Sequence, residues 1–361
     1  MEILTQSIIE EFSNESTTRH LICKPPKEAY YFFPKGTDVI EWDKENPKKT
    51  MRRVFEGAIR FNEFEEAILI EFTVELEKYK IKNDKNVKFP EKWDDSKTLR
   101  YIQGSNYNIN KAIENLINHF EWRENIFPIK ISDKIIEILN LGFIYGHGRD
   151  SNFRPIFVIN ASIFNIYIKH YTVDEWINSF VYFLEYLINN LLIPGQVENW
   201  LIILDVANFS MLFIPQELKT IFNVLMNNYK CRMFVMYIVN VSTVLNFLWS
   251  TFIRVLDTNT EKKIRLLKKS DMKQIFNYIN PEQIEEKFGG KAQNVKSHYF
   301  PHWIPSNKFL LENDSVDKII DGDKYIELLK NNKKYIHSPY LDQEYLNKVD
   351  NLIDEDCKIY R

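Results

Sequence analysis

The stretch that decides the fold reads Gly142-Phe-Ile-Tyr-Gly-His-Gly-Arg-Asp-Ser-Asn-Phe-Arg-Pro-Ile-Phe-Val-Ile-Asn160. A turn rich in Gly, Asp and Asn leads there into an uninterrupted apolar run. Two further runs follow at helix-sized intervals, at Trp200–Val206 and Met233–Val239. Parallel strands that are buried on both faces read as continuous apolar runs joined by long crossovers. The pattern therefore predicts an α/β fold with a mostly parallel sheet.

Composition excludes several classes of protein. The chain has 361 residues and a net charge of -3, so it carries no overall basic field, and we expect no nucleic-acid partner. Its three cysteines, Cys23, Cys231 and Cys357, are too scattered for a disulfide framework or a cysteine metal site. Residues 1–18 do not read as a signal peptide. These features predict a cytoplasmic protein without a bound metal.

An uncharged segment of membrane-spanning length runs from Met233 to Ile253. Asn240 and Ser242 interrupt it, so we interpret its first third as a strand and the rest as an amphipathic helix. The apolar stripe of that helix contains Leu245, Leu248, Trp249 and Phe252. An ordinary core helix is the alternative reading of this stripe.

Helical periodicity marks most of the remaining chain. It predicts helices over 52–82, 172–192 and 215–229, and a helix-turn-helix pair from Leu99 to about Trp122, with a polar turn between Gly104 and Ile109. We divide the chain into an N-terminal arm at 1–50, a helical domain at 51–128, an α/β domain at 129–303 and a C-terminal extension at 304–361.

Short motifs follow one another in a fixed order between about 99 and 291. They are Leu99-Arg100-Tyr101-Ile102 with Ala112 and Trp122-Arg123, the turn from Gly148 to Pro155, Leu204-Asp205, Asn228-Tyr229, Tyr237 to Asn240, Leu256-Asp257 with Lys263-Ile264, and Phe288-Gly289-Gly290. No single motif is specific by itself, but the ordered series resembles the Sec14-like lipid-transfer proteins, which carry a CRAL-TRIO domain preceded by a helical N-terminal domain.

The resemblance implies a sheet that floors an apolar lipid pocket under a gate helix, here at about 242–256. Such proteins take one phospholipid from a membrane, exchange it for another and catalyse no covalent change. We therefore expect a non-enzyme with a bound phospholipid as its ligand, no cofactor, and transient contact with membranes. The floor residues would be Phe157, Ile159, Trp200, Ile202, Met236 and Ile238, unless half of them support helices behind the sheet.

Phosphatidylinositol is the favoured cargo by resemblance. Thr260 and Lys263 occupy the positions of the Thr and Lys that contact the inositol phosphate, and a hydroxyl and an ammonium suit an anionic headgroup. Arg100 alone remains of a basic run that contributes in the family. Cys231 replaces an acidic residue, so the inositol site is incomplete, and Trp200 and Ile202 replace the hydroxyl residues of choline-lipid binders.

Two glycine positions of the family carry conformational expectations. Phe153 stands where the family has glycine, which predicts a turn without positive φ. Gly289 and Gly290 predict a tight turn that only glycine permits.

Two other classes of function compete. A hydrolase or transferase could use Asp205, Asn240 and His147 near strand ends, although capping of the next turn is the simpler role for Asp205. His298 and His302 do not form a helical metal pair because Pro301 lies between them. Alternatively, the protein is a lipid sensor that presents its bound lipid to lipid-kinase or trafficking partners without transferring it.

Overall fold

The computed structural model describes residues 20–21, 25–57, 59–84, 87–91, 93–129, 132–208, 216–242 and 258–314. Its strands are β1 (His20–Leu21), β2 (Ile40–Glu41), β3 (Met51–Arg52), β4 (Ile144–Arg149), β5 (Pro155–Asn160), β6 (Trp200–Asp205), β7 (Met233–Val239), β8 (Ile264–Leu267) and β9 (Trp303–Ile304). Its helices are α1 (Lys27–Tyr30), α2 (Glu63–Asn83), α3 (Asp95–Gly104), α4 (Ile109–Ile126), α5 (Asp133–Leu139), α6 (Ala161–Tyr167), α7 (Val173–Asn190), α8 (Gln216–Asn228) and α9 (Thr258–Glu261). Short 3-10 segments occupy 36–38, 47–49, 269–277, 281–283 and 286–288.

Seven strands form one sheet in the order β1-β9-β4-β5-β6-β7-β8, and β2 pairs with β3 separately. The strands β5, β6, β7 and β8 are parallel to one another, so the predicted mostly parallel sheet is confirmed. Helices cross between the parallel strands, as buried parallel strands require.

The deciding stretch forms a hairpin rather than a turn followed by one strand. Residues Ile144–Arg149 are themselves a strand, antiparallel to Pro155–Asn160, with Gly146 opposite Phe157. The turn between them is held by Asp150, whose Oδ1 accepts from the backbone N–H of Asn152 and of Arg154.

The prediction for Phe153 was wrong, because this residue has φ 61°. A phenylalanine tolerates the left-handed region here because its ring is fully buried against Phe32 and Phe309, at ring-centroid distances of 5.7 and 5.5 Å. Burial of such a ring contributes about 1.5–3 kcal/mol, which outweighs a left-handed backbone cost of about 1–2 kcal/mol.

The two faces of the sheet pack differently. The front face carries Phe157, Trp200 and Ile202 and packs against α7. The back face carries alternate residues of the same strands, such as Val158 and Leu201, and packs against the chain at 272–288. Helix α7 begins with a capping box between Thr172 and Glu175. It buries a three-four stripe that consists of Trp176, Phe180, Phe183, Leu184 and Leu187.

We call α2, α3 and α4 the helical unit, and it agrees with the predicted helical pattern except at its start. Helices α3, α4, α7 and α8 lie close to the predicted ranges. The helix predicted from residue 52 begins only at Glu63, where Asn62 and Glu65 form a capping box. Before it, Gly57 has φ 76°, a left-handed conformation that interrupts a helix.

Both ends of the described chain add to the α/β part. Strand β1 pairs with β9, and Ala29 and Phe32 lie in the same core as α7. Phe309 joins that core from beyond β9. These contacts cross the predicted boundaries at residues 50 and 303. The division of the chain at residues 50, 128 and 303 stays a prediction.

Candidate lipid-binding face and its surroundings

The six predicted floor residues all lie on the front face. Cross-strand pairing builds two apolar rows across β5, β6, β7 and β8. The first row is Phe157, Ile202, Met236 and Ile264. The second row is Ile159, Leu204, Ile238 and Leu266. Side chains two residues apart on a strand share a face, so both rows point the same way.

The amino-terminal part of this face is already filled. The ring of Phe157 packs edge-on against Phe183 of α7 at 5.6 Å and against Trp200 at 5.9 Å. Trp200 in turn lies 6.4 Å from the Tyr229 ring, which follows α8. Phe157 and Trp200 therefore support helices on the front face, whereas the alternative reading of the floor placed such residues behind the sheet.

The carboxyl-terminal part of the face is less covered. Ile159 and Met236 are half-buried, and Ile238 packs with Ala161, Val206 and Val241. Leu204, Ile264 and Leu266 are half-buried beside them. We call the set Ile159, Leu204, Met236, Ile238, Ile264 and Leu266 the open floor. It includes three residues that were not predicted: Leu204, Ile264 and Leu266.

The signal for the missed residues was present in part. Leu204 lies two positions after Ile202, and period-two alternation alone places both on one face. Ile264 and Leu266 alternate in the same way within β8. That strand is only four residues long and is bordered by charges, so its apolar pattern was too short to predict a strand.

Thr260 and Lys263 lie in the turn that leads into β8. The Lys263 N–H donates to the Thr260 carbonyl at 3.0 Å, and the Lys263 carbonyl accepts from the Met236 N–H at 2.8 Å. Both residues are half-buried, and Lys263 directly precedes Ile264 of the open floor. A hydroxyl and an ammonium group thus border the apolar rows.

Arg100 lies elsewhere, in a buried ion cluster between the helical unit and the sheet. Its guanidinium pairs with the Glu198 carboxylate, lies 3.6 Å from Glu56 Oε1, and stacks over the Phe55 ring at 4.3 Å. Its guanidinium also approaches the Cys231 carbonyl. Residue 231 precedes Met236 of the open floor by five residues, which is roughly 16 Å along an extended chain. We therefore do not include Arg100 in the proposed headgroup site.

The electrostatics of this cluster follow from its burial. The two Glu198 oxygens accept from the backbone N–H groups of Phe55, Glu56 and Gly195. Burial alone would raise the pKa of Glu198, but Arg100, Arg232 and the backbone donors outweigh it and hold that pKa below its usual range. Burial, followed by the charge of Glu198, raises the pKa of Glu56. The cluster binds the helical unit to the amino-terminal edge of the sheet.

The alternative catalytic group does not assemble. Asp205 Oδ1 accepts from Asn240 Nδ2 at 2.8 Å and from the Ala207 N–H at 3.0 Å, so it caps the turn after β6 as expected. His147 lies on β4, which runs antiparallel to β5, and its Nδ1 contacts the Gln283 carbonyl at 3.1 Å. His147 therefore lies near the amino-terminal end of β5, whereas Asp205 lies at the carboxyl end of the parallel strands.

Three buried histidines give the fold a pH dependence. Burial lowers the pKa of His119 to about 4, lowers that of His147, and lowers that of His302 well below its usual value. His302 is fully buried, and neither ring nitrogen has a hydrogen-bond partner among the described residues. All three side chains are therefore neutral in the folded protein at pH 7.

We expect acid to destabilise the protein because the unfolded chain protonates these histidines first. Stability is full above the unfolded pKa of about 6.5 and falls as pH decreases toward the folded values, by up to about 1.4 kcal/mol per pH unit for each histidine. Urea unfolding at a series of pH values measures this slope. The variant His302→Leu should have a shallower slope, whereas the exposed control His170→Gln should not. An unchanged slope for His302→Leu would contradict the assignment.

Two features are absent from the described residues. No group of three or more His, Cys, Asp or Glu side chains there could hold a metal ion. No helix in the described part of the chain is long and apolar enough to cross a bilayer. The predicted gate residues Leu245, Leu248, Trp249 and Phe252 lie outside the described residues.

Comparison with known proteins identifies one domain of the chain. Residues 139–290 match the family model of the CRAL/TRIO domain. The chain is also similar to a solved structure titled "Crystal structure of Sfh5", with 15% sequence identity and a TM-score of 0.49, over 69% of this chain and 96% of that chain. The family match begins in α5 and ends just after Phe288, and it contains the whole open floor. The chain therefore contains a CRAL/TRIO domain at residues 139–290, within the range over which the sequence motifs predicted one.

Proposed function

We propose that the protein binds a single phospholipid against the open floor and exchanges it between membranes. The observation that carries this proposal is the pair of apolar rows across four parallel strands, which contain no polar side chain. The CRAL/TRIO family supports a lipid-binding or lipid-transfer protein. Each methylene removed from water contributes about 0.8 kcal/mol, so such a surface can hold an acyl chain firmly.

We infer that the headgroup lies near Thr260 and Lys263 and that phosphatidylinositol is the preferred cargo. In this arrangement the acyl chains lie along the open floor, and the phosphate lies at the start of β8. An ammonium group and a hydroxyl are suitable donors to an anionic phosphate. The lipid is a ligand and is not chemically changed.

The proposal extends to where the protein acts. We infer a cytoplasmic protein that contacts membranes transiently while lipid enters or leaves. The segment 242–256, with Leu248, Trp249 and Phe252, stays our prediction for the gate. Lipid-kinase or trafficking partners would receive the cargo if the protein acts as a sensor.

Native mass spectrometry of the purified protein, with identification of extracted lipid, tests the binding step. We expect one phospholipid per chain. An empty protein that also fails to take up phosphatidylinositol from vesicles would refute the proposal. Rapid movement of lipid between vesicles supports transfer, whereas stoichiometric loading without movement supports the sensor.

Replacement of Lys263 by Ala tests the headgroup site. We expect loss of a charge-assisted hydrogen bond to cost about 1.5–3 kcal/mol, which is roughly a 10- to 100-fold weaker loading of phosphatidylinositol at equilibrium. Loading of phosphatidylcholine should change little, because the acyl-chain contacts remain. The matched control is Lys262→Ala, which removes the adjacent exposed ammonium. Equal phosphatidylinositol loading by both variants would remove Lys263 from the site.

A further inference from the structure

The segment around β8 concentrates positive charge that lipid binding by itself does not require. Residues 258–277 contain six basic and two acidic side chains, in a chain whose net charge is -3. The basic residues are Lys262, Lys263, Arg265, Lys268, Lys269 and Lys273, and the acidic ones are Glu261 and Asp271.

Four of these lysines are exposed and unneutralised. Lys262, Lys268, Lys269 and Lys273 are exposed, and none forms an ion pair with another described residue. Several other lysines in the described chain are neutralised by an ion pair. Each of Lys78, Lys80 and Lys97, for example, pairs with an acid three residues earlier. The charge near β8 is therefore available to an external partner.

The charged segment borders the apolar face. Strand β8 is the last strand of the described sheet and pairs with β7. Ile264 and Leu266 contribute to the open floor, while exposed Arg265 alternates with them and donates Nη1 to the Lys262 carbonyl at 2.6 Å. From residue 264 to residue 268 the chain extends roughly 13 Å. This length exceeds the Debye length of about 8 Å at physiological salt, so charges at its two ends are largely screened from each other.

We propose that this basic edge, defined by Lys262, Arg265, Lys268, Lys269 and Lys273, is a docking surface for an anionic lipid bilayer. The inference rests on the proposed lipid exchange, since docking there brings the open floor to the membrane from which lipid is taken. Charge complementarity identifies the partner: several lysines spread along an extended edge fit a surface of many phosphates.

Edge protection is the competing explanation, because charged side chains on edge strands prevent unwanted strand pairing. It does not account for the position of the charges. Only Arg265 lies within β8, while the four unneutralised lysines lie before or after it. A strand of four residues is also already too short to be a strong pairing template. The observations therefore favour a surface that reaches outward from the sheet edge.

Vesicle co-sedimentation of the full chain tests the docking surface. The two probes are vesicles of phosphatidylcholine alone and vesicles that also contain phosphatidylserine. We expect binding to the second only, weakened by added salt. Each lysine near an anionic surface strengthens binding about fivefold, so Lys→Gln at 262, 268, 269 and 273 should weaken it at least about tenfold. The matched control replaces Lys44, Lys48, Lys49 and Lys111, which are exposed residues of the helical unit and its approach.

The outcomes separate this inference from the proposed function. Equal binding of the wild type to both vesicles, or equal loss in the two four-lysine variants, would overturn the docking surface. Unchanged vesicle binding with new self-association of the β8 variant would identify edge protection and also overturn it. Lipid loading at equilibrium, measured by native mass spectrometry, should be normal in both variants. Absence of any lipid in the wild type would instead refute the function.

Discussion

Replacement of Glu198 by Ala should lower the free energy of unfolding by about 3–5 kcal/mol. The carboxylate is 1% exposed, pairs with Arg100 and accepts from three backbone N–H groups. Its removal leaves buried Arg100 without its closest counter-charge and leaves the three backbone N–H groups without their acceptor. Glu56, whose Oε1 lies 4.0 Å from Arg232 and 3.6 Å from Arg100, compensates only in part.

Urea denaturation of the wild type and the variant measures this loss. The matched control is Glu75→Ala, which removes an exposed carboxylate paired with Lys78 at 2.6 Å. An exposed pair contributes at most about 1 kcal/mol, so the control should unfold near the wild-type midpoint. Similar losses in the two variants would show that the buried cluster does not hold the helical unit on the sheet.

The ion cluster also explains why the sequence suggested a different role for Arg100. The family resemblance implied that role, since Arg100 alone remains of a basic run that contributes to the headgroup site in the family. In the structure Arg100 pairs with Glu198, which lies 98 residues later, in the segment just before β6. Nothing in the spacing of the chain pairs the two, because their contact depends on how α3 docks against the sheet.

The central sheet could be predicted because its strands are unusually uniform. The runs at β5, β6 and β7 are apolar in every register, and the helices between them fix a parallel arrangement. The strands that were missed lack this property. Strand β4 contains two glycines, a histidine and an arginine, and β9 has only two residues. The pairing partners of β9 are β1 and β4, which are both distant in the sequence.

The candidate site, like the sheet, could be predicted only in part from the sequence. Alternation selected six candidate floor residues but did not decide which face of β5 and β7 they occupy. In the structure all six lie on the front face. Which part of that face is open depends on where α7 ends and on the bulk of Phe183. The sequence of the strands alone contains no information about either.

The turn at Phe288-Gly289-Gly290 offers a second large effect with a control one residue away. A Cβ at Gly290 would lie 1.9 Å from the Ile284 carbonyl oxygen, whereas a Cβ at Gly289 meets nothing within 4 Å. The obstacle at Gly290 is backbone. It is held by the Ala292 N–H, which donates to the same carbonyl at 2.9 Å, so it cannot move aside cheaply.

We therefore expect Gly290→Ala to lose at least about 3 kcal/mol of stability, at the upper end of the cost of overpacking. Gly289 has φ 85°, so Gly289→Ala should lose only the left-handed backbone cost of about 1–2 kcal/mol. The effect reaches the sheet, because fully buried Phe288 packs on the back face behind the open floor. Urea denaturation of the two variants gives the comparison. If Gly290→Ala is no less stable than Gly289→Ala, positive φ rather than the close approach of Ile284 explains this pair of glycines.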